Sequence, residues 1–313
     1  MRSARALSLI FFLASLTACG PSRSPSTSTS TPPPPPLPPD AGPPEVRIAS
    51  WNVRLFFDDV CDSGRCEPGD WEETPSPADF AERAQEIAQA ISRLDVDVIA
   101  LEEVETQRSL DAIHARLPGF PHAVLGEIGS VASVDVAVLS RYPIVEVRGH
   151  RTMVLTRPDG SWTSFSRELL EVHLEAEGHR VVVFAAHLRS KSNDDPGRRL
   201  AEATAAREIV LATATSSAPA LVVLGGDLND VPGSEPLNAL EADGGLVRAS
   251  ADQPLDEIGT YVYFGDSQAI DHLLVAPSAG GDTVPDSFEV VRSGSRGYGG
   301  SDHAAIRARF TVA

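Results

Sequence analysis

Residues 45–313 read as an α/β domain in which two mixed β-sheets pack together with helices outside. Short apolar runs recur along the whole segment, bounded by Gly, Pro, Asp and Asn, as strands are. Between them lie stretches whose apolar residues repeat every three or four positions, as on helices. The strand-type runs are of two kinds: near-continuous ones that suit burial on both faces, and alternating ones that suit burial on one.

Taken in order, Val46 to Asn52 reads as the first strand. Pro77 opens a helix on which Phe80, Ala84, Ile87, Ile91 and Leu94 form one apolar face. Val96 to Leu101 is a second, nearly continuous apolar strand, and a helix carrying Leu110, Ile113 and Leu117 follows. Strands are expected at Val134 to Leu139 and Ile144 to Val147, and a hairpin at Arg167 to Leu174 and Arg180 to Ala186 with Gly178 in its turn. A long helix from about Arg198 to Thr213 leads into a buried strand, Ala220 to Leu224. The remainder is strand-rich, at Thr260 to Phe264, Ile270 to Val275, Phe288 to Val291 and Ala305 to Val312. Periodicity leaves the strand order open.

The segment before this domain has a different character. Arg2 and Arg5 precede an apolar stretch from Leu7 to Leu16 and small residues before Cys19, the layout of a secretory signal and too short to span a bilayer comfortably. Leu16-Thr17-Ala18-Cys19 resembles a bacterial lipobox, which implies a signal peptide over 1–18 and lipidation at Cys19. Gly20 after that cysteine resembles lipoproteins sent to the outer membrane. Residues 19–44 are rich in Ser, Thr and Pro, with prolines unbroken from Pro32 to Pro36, and read as a disordered tether. Contact with a membrane is therefore expected through the anchor alone, on an exported chain.

The chain carries a net charge of −18, and residues 1–44 hold three bases and only one acid, so the domain is more acidic still. A nucleic-acid binder relying on a broad basic face is disfavoured; phosphate chemistry is not. No 20-to-50-residue repeat, no Gly-x-Ser-x-Gly elbow and no P-loop is present. Nothing in the pattern calls for a protein partner, and a monomer is expected. Cys61 and Cys66 lie close together in a loop rich in Asp, Ser and Gly, where an exported chain would pair them as a disulfide; a zinc half-site is the competing reading.

Four short segments place acid, amide or imidazole groups beside apolar runs: Ser50-Trp51-Asn52, Leu101-Glu102-Glu103-Val104, Gly225-Gly226-Asp227-Leu228-Asn229 and Ser301-Asp302-His303. Strands that meet such groups at their ends can gather them at one rim, as metal-assisted hydrolysis of a phosphate ester requires. Glu103 follows a buried strand and reads either as a metal ligand or as a turn cap. Asp227 and Asn229, one residue apart, share a side of an extended segment or else belong to an Asp/Asn-rich turn. Asp271, inside an apolar run, needs a partner, and His303 is the natural one, a carboxylate-oriented general base. His187 ends a strand and reads as a donor to a phosphoryl group, with Lys191 nearby as a cation, or as an ordinary loop histidine. His272 should face away from Asp271 and reads as structural, while His114, His122, His150, His173 and His179 read as surface residues. The oxygen-rich donor set favours Mg²⁺, with Mn²⁺ or Ca²⁺ as alternatives.

These segments, in this order, resemble the endonuclease/exonuclease/phosphatase superfamily over nearly all of Val46 to Val312. The resemblance implies a four-layer α/β sandwich and a divalent-metal site. It places Asn52, Glu103 and Asp302 at the metal, Asp227 and Asn229 at the nucleophile and phosphate, and His303 with Asp271 as the base, with His187 as the second histidine. Ala137 to Ile144 and His187 to Lys191 look most like secreted bacterial nucleases of that group. Arg167 fits them too, as a phosphate contact or a structural ion pair. Glu102 departs from the pattern, standing where Gln is common, and Thr106 stands where Asn is. The expected activity is phosphodiester hydrolysis with nucleic acid as substrate. Phospholipid or phosphomonoester hydrolysis and an inactive binding module remain the alternatives, and no apolar hairpin suited to lipid stands out.

Overall fold

A computed structural model describes residues 42–216, 219–294 and 297–312. The signal segment, Cys19 and most of the tether lie outside the described residues. In chain order the elements are β1 (Glu45–Phe56), α1 (Pro77–Leu94), β2 (Val98–Val104), α2 (Gln107–His114), β3 (His122–Gly126), β4 (Asp135–Ser140) and β5 (Ile144–Gly149). A small ribbon of β6 (Leu155–Thr156) and β7 (Trp162–Thr163) precedes β8 (Leu169–Ala176), β9 (His179–His187), α3 (Pro196–Ser216), β10 (Leu221–Asp227), α4 (Glu235–Glu241) and β11 (Val247–Arg248). A hairpin of β12 (Tyr261–Tyr263) and β13 (Asp266–Gln268), then β14 (Asp271–Val275), β15 (Glu289–Val291) and β16 (Ala305–Thr311), complete the described chain.

Two six-stranded sheets result, in the orders β15-β16-β1-β2-β4-β3 and β11-β14-β10-β9-β8-β5. Each has one parallel pair at its centre, β1 with β2 and β9 with β10, and antiparallel neighbours outside it. The cores follow the layers. Ile48, Val98, Val138, Val183, Val223 and Ile306 fill the space between the sheets. Trp51, Ile99 and Leu139 pack against Ile87, Ile91 and Leu110 of α1 and α2. Phe184, Val222 and Leu274 pack against Val210 of α3 and Leu237 of α4. This is the expected four-layer sandwich, helices outside on both faces. No helix among the described residues is long and apolar enough to cross a membrane.

Local chemistry sets the helix ends. The Ser76 hydroxyl accepts from the Asp79 amide at 3.2 Å and Pro77 takes the first turn, while Asp95 ends α1 in the left-handed region at φ 50°. Thr106 caps α2 by accepting from the Ser109 amide. The β8–β9 hairpin turns on Glu177 and Gly178, both at positive φ, as a two-residue loop between twisted strands requires.

The topology explains why distant segments meet. β1, β2, β9 and β10 finish at the same edges where the antiparallel β14 and β16 begin. Asp227, the last residue of β10, pairs in register with His187 on one side and Asp271 on the other. Gly226 is required here: at φ 153°, an added Cβ would lie 1.8 Å from the Ala186 carbonyl oxygen. Both glycines before Asp227 lie inside β10, where Gly225 also faces the Leu273 side chain closely.

Candidate active site

The Asp227 Oδ2 atom is the hub of the site. It accepts from Asn52 Nδ2 at 3.1 Å, lies 3.7 Å from His187 Nε2 and lies 3.9 Å from His303 Nε2. Asn52 also donates to Glu103 Oε1 at 3.1 Å, tying the end of β2 to the end of β10. On the far side of the imidazole, His303 Nδ1 meets both Asp271 oxygens at 3.0 and 3.1 Å. That contact leaves Nε2 directed at Asp227. Asp227, Asp271 and His303 are all buried and place ligand-type atoms within 4.8 Å of one another.

A bulge shapes the Glu103 side. Between Asn52 and Phe56, β1 carries three residues against one on β2, and Arg54, Leu55 and Glu103 take φ values of 60°, 41° and 67°. Non-glycine residues hold such angles only where the surroundings enforce them. Here the enforced geometry delivers the Leu55 amide to Glu103 Oε2 at 2.7 Å and the Arg54 amide to Asn52 Oδ1 at 2.9 Å. Ser301 fixes the last loop to β1, donating to the Asn52 carbonyl at 2.7 Å while accepting from the His303 amide at 3.0 Å.

The electrostatics are those of a site rich in acid. Burial, with Asp271 beside it, pushes the Asp227 carboxyl up to about 7. Burial alone would lower His303, but Asp271, Asp227 and Asp302 overcome it and raise the imidazole to about 10. His187 is pushed the other way: burial, reinforced by Arg167 and His303, holds it well below the usual imidazole range, so its ring is neutral. Its Nδ1 has no hydrogen-bond partner. Glu102 is fully buried, accepts from Ser50 Oγ at 2.8 Å and is driven well above the carboxylate range by burial and Asp271. It is therefore carried neutral, an acid in the role an amide would fill.

Several expected residues are placed differently from the sequence reading. Asn229 has φ 54°, so it does not share an extended face with Asp227; its amide nitrogen bonds back to Asp227 Oδ1 at 2.9 Å and its side chain donates to the Leu188 carbonyl at 3.1 Å. It positions Asp227, and the turn reading applies. Asp302 is half-buried and lies 3.6 Å from the Arg54 guanidinium, at the lip and outside the Asp227–Asp271–His303 group. Lys191 is paired with Asp230 at 3.0 Å, which Arg199 also holds at 2.8 Å. Arg167 donates to the Leu188 carbonyl at 3.3 Å and feels the field of Glu103 and Asp227, which sets it beside the site without an ion pair. Cys61 and Cys66 form a disulfide. His272 bonds the Asp230 carbonyl at 2.9 Å, away from the reaction side. His150 and His173 are not surface residues: both donate to the buried Glu171 carboxylate, at 2.7 and 2.6 Å.

One feature escaped the sequence reading. In the β12–β13 hairpin the Tyr261 ring lies 4.8 Å from the His303 ring, and Tyr263 and Phe264 at the tip are 54% and 92% exposed. The signal was present in the alternating aromatics before Gly265, whose positive φ with that of Phe264 makes the turn.

The residues present suit a hard cation. Their donors are carboxylate and amide oxygens, and the surplus of acid that raises both Asp227 and His303 is what a divalent ion would balance.

A sequence model of the Endonuclease/Exonuclease/phosphatase family matches residues 49–303. No curated protein matches the chain. Among solved structures, truncated TDP2 from Caenorhabditis elegans superposes with a TM-score of 0.61 at 20% identity, over 86% of this chain and 98% of that one. D. rerio TDP2 complexed with a single-strand DNA product gives 0.57 at 16%, over 86% and 99%. A mannosyl-6-phosphatase from Bacteroides thetaiotaomicron gives 0.59 at 20%, over 85% and 99%. At these identities the likenesses show the fold.

Proposed function

The chain belongs to the endonuclease/exonuclease/phosphatase family, and on that footing we propose that it hydrolyses phosphodiester bonds, with nucleic acid outside the cytoplasm as its substrate. The observation that carries this reading is the arrangement about Asp227 Oδ2. An oriented imidazole, a neutral second imidazole and an amide that also grips Glu103 converge there.

The acids that raise His303 do so while their charge is unbalanced; once that charge is balanced the ring returns toward the ordinary imidazole range, and, oriented by Asp271, it can take a proton at Nε2 from a water that Asp227 orients. Asn229 and Asn52 hold the Asp227 carboxylate in place. His187, neutral and buried, offers its Nε2 side to the phosphoryl group as a hydrogen-bond donor. Glu103 and Asn52, with Asp302 at the lip, would hold Mg²⁺, which when bound supplies the charge that balances these acids and polarises a phosphoryl oxygen. The D. rerio relative's complex with single-strand DNA supports a nucleic-acid substrate, and Tyr261, Tyr263 and Phe264 offer faces on which bases could stack.

A second reading, hydrolysis of a phospholipid head group, is favoured by the exposed aromatic tip at Tyr263 and Phe264, the kind of apolar hairpin a lipid surface would accept. In either case we propose a monomer exported and anchored through a lipid at Cys19, the domain carried on the Pro-rich tether. Assays of the purified protein on plasmid DNA, RNA, sphingomyelin vesicles and a chromogenic phosphodiester, with Mg²⁺ and with chelator, test these readings. Nucleic-acid cleavage that chelator abolishes is expected. Turnover of vesicles alone would transfer the assignment to lipid. A folded, Mg²⁺-supplied protein inert on all four would support a binding module.

A further inference from the structure

Beyond the catalytic rim, a second group of acids lies where the segment between β1 and α1 meets the end of β2. Asp62, Glu72 and Glu105 each bring a carboxylate oxygen within 4.8 Å of the other two. Glu72 and Glu105 are 2% and 1% exposed, whereas Asp62 opens to solvent. Backbone amides hold the floor: Asp62 and Ser63 donate to the two Glu72 oxygens at 2.6 and 2.8 Å, and Asp58 donates to Glu105 Oε2 at 2.7 Å. These bonds fix the carboxylates and leave lone pairs unused.

An independent observation points to a ligand. Glu105 Oε1 is buried and has no hydrogen-bond partner. Among the described residues no Lys, Arg or His lies within ion-pair distance of Asp62, Glu72 or Glu105, although Arg108 pairs with nearby Asp59 at 2.5 Å. Two buried carboxyls and a third at the mouth, with no basic partner, must either hold a proton, as Glu102 does, or take up a cation, and here the three oxygens are gathered around one point that opens to solvent.

We propose that Asp62, Glu72 and Glu105 form a second, structural site for a hard divalent cation, Ca²⁺ by its all-carboxylate donor set, which pins the disulfide-closed loop to the end of β2. Three protein carboxylates suit Ca²⁺, which accepts loosely shaped oxygen cages, better than Mg²⁺, which keeps several waters and is rarely held by protein oxygens alone. The loop it ties down contains the Cys61–Cys66 bond and Trp71, whose ring packs edge-on against Phe57 and whose indole nitrogen donates to the Ala132 carbonyl at 2.9 Å. Glu105 is two residues beyond Glu103, so the ion would also brace the strained end of β2. The site is independent of the catalytic reading.

The test uses the whole chain with its disulfide intact, stripped with chelator and titrated with CaCl₂ while thermal midpoint and tryptophan emission are followed. The midpoint is expected to rise with half-effect at about 10⁻⁴–10⁻³ M, the range of extracellular Ca²⁺ modules. Asp62→Asn is the informative variant, because the Asp62 carboxylate makes no hydrogen bond among the described residues and its loss leaves the chelated fold unchanged. It should weaken the Ca²⁺ response at least about tenfold, whereas Glu103→Gln should retain that response. No shift in the native chain at roughly ten times the upper end of that range would overturn the proposal. So would an unaltered response in Asp62→Asn, or loss of the response in Glu103→Gln.

Discussion

Glu171 on β8 and Asp227 on β10 are both buried carboxylates set beside histidines, yet their surroundings treat them in opposite ways. Glu171 is saturated. Its Oε1 accepts from Arg148 at 3.0 Å, His173 at 2.6 Å and Thr213 at 3.3 Å, and its Oε2 meets His150 at 2.7 Å. Burial would raise its pKa, but the two histidines and Arg148 win and hold it at about 2. Asp227 meets amides and distant imidazoles instead, and is pushed up to about 7. The first cluster has brought its own cations, as a structural network does; the second is short of positive charge, as a site that recruits a cation should be. Residue type alone does not separate the two, since both mix acid and imidazole.

The largest effect expected on the deficient side is catalytic. His303→Ala should lower kcat/KM by about 10²–10⁴-fold, the scale of a lost general base, with the thermal midpoint little changed. Asp271→Asn should fall in the same range by losing the orientation of Nδ1. Steady-state kinetics beside circular dichroism checks both, and retained turnover in His303→Ala would remove the imidazole from the base role. On the saturated side the loss should appear in stability. Glu171→Ala leaves Arg148, His150 and His173 around an empty place and should cost about 3–5 kcal/mol in chemical unfolding, with kcat/KM per folded molecule unaltered. A stable Glu171→Ala would dissolve the contrast.

Acid titration sharpens the same comparison at a smaller scale. The folded pKa of Glu171 lies near 2 against an ordinary 4.5. Its contribution is therefore fully present above pH 4.5 and lost as pH falls from there toward 2, because the unfolded chain binds the proton first. The full difference corresponds to about 3–4 kcal/mol at most. Unfolding curves between pH 5 and 2.5 should show native stability dropping faster than that of Glu171→Gln; parallel curves would mean that the network does not favour the ionised acid.

Much of this was legible in the sequence because burial dictates composition. Val98 to Leu101 and Leu221 to Leu224 lie in central strands and are apolar throughout, so they announce themselves. Elements at the margin do not. β3 is half-buried over most of its length and α4 spans only Glu235–Glu241 after a Pro-Gly-Ser turn, so neither has the run or period that marks a strand or helix. At the site, residues that end strands, such as His187 and Asp227, could be placed at a rim from sequence, because strand ends meet a rim whatever the sheet order. What failed depended on a single backbone angle or on a partner distant in sequence. Asn229 leaves the extended face it was expected to share with Asp227 at φ 54°, and Lys191 pairs with Asp230. His173 faces into the α3 side of the sheet and bonds Glu171 two residues before it in the same strand. Alternation predicts only that these two share a face, not that the face is covered.

The smallest effect concerns two adjacent acids that look alike in sequence. Glu102 and Glu103 follow the same apolar run, but Glu102 is fully buried with one oxygen on Ser50 and the other without a partner, while Glu103 is half-exposed and bound by Asn52 and the Leu55 amide. Burial and the nearby Asp271 keep Glu102 protonated, so exchanging its hydroxyl for an amide changes shape and charge very little. Glu102→Gln should therefore shift stability by no more than about 0.5 kcal/mol and leave the Mg²⁺ dependence of turnover as it is. Glu103→Gln, one residue on, should raise the Mg²⁺ concentration needed for half-maximal rate, since it removes a charged oxygen donor from the rim. Parallel metal titrations of the two variants decide the matter. If Glu102→Gln also weakened the metal response, the buried acid would have to be ionised and the charge deficit at the site would be larger than the geometry implies.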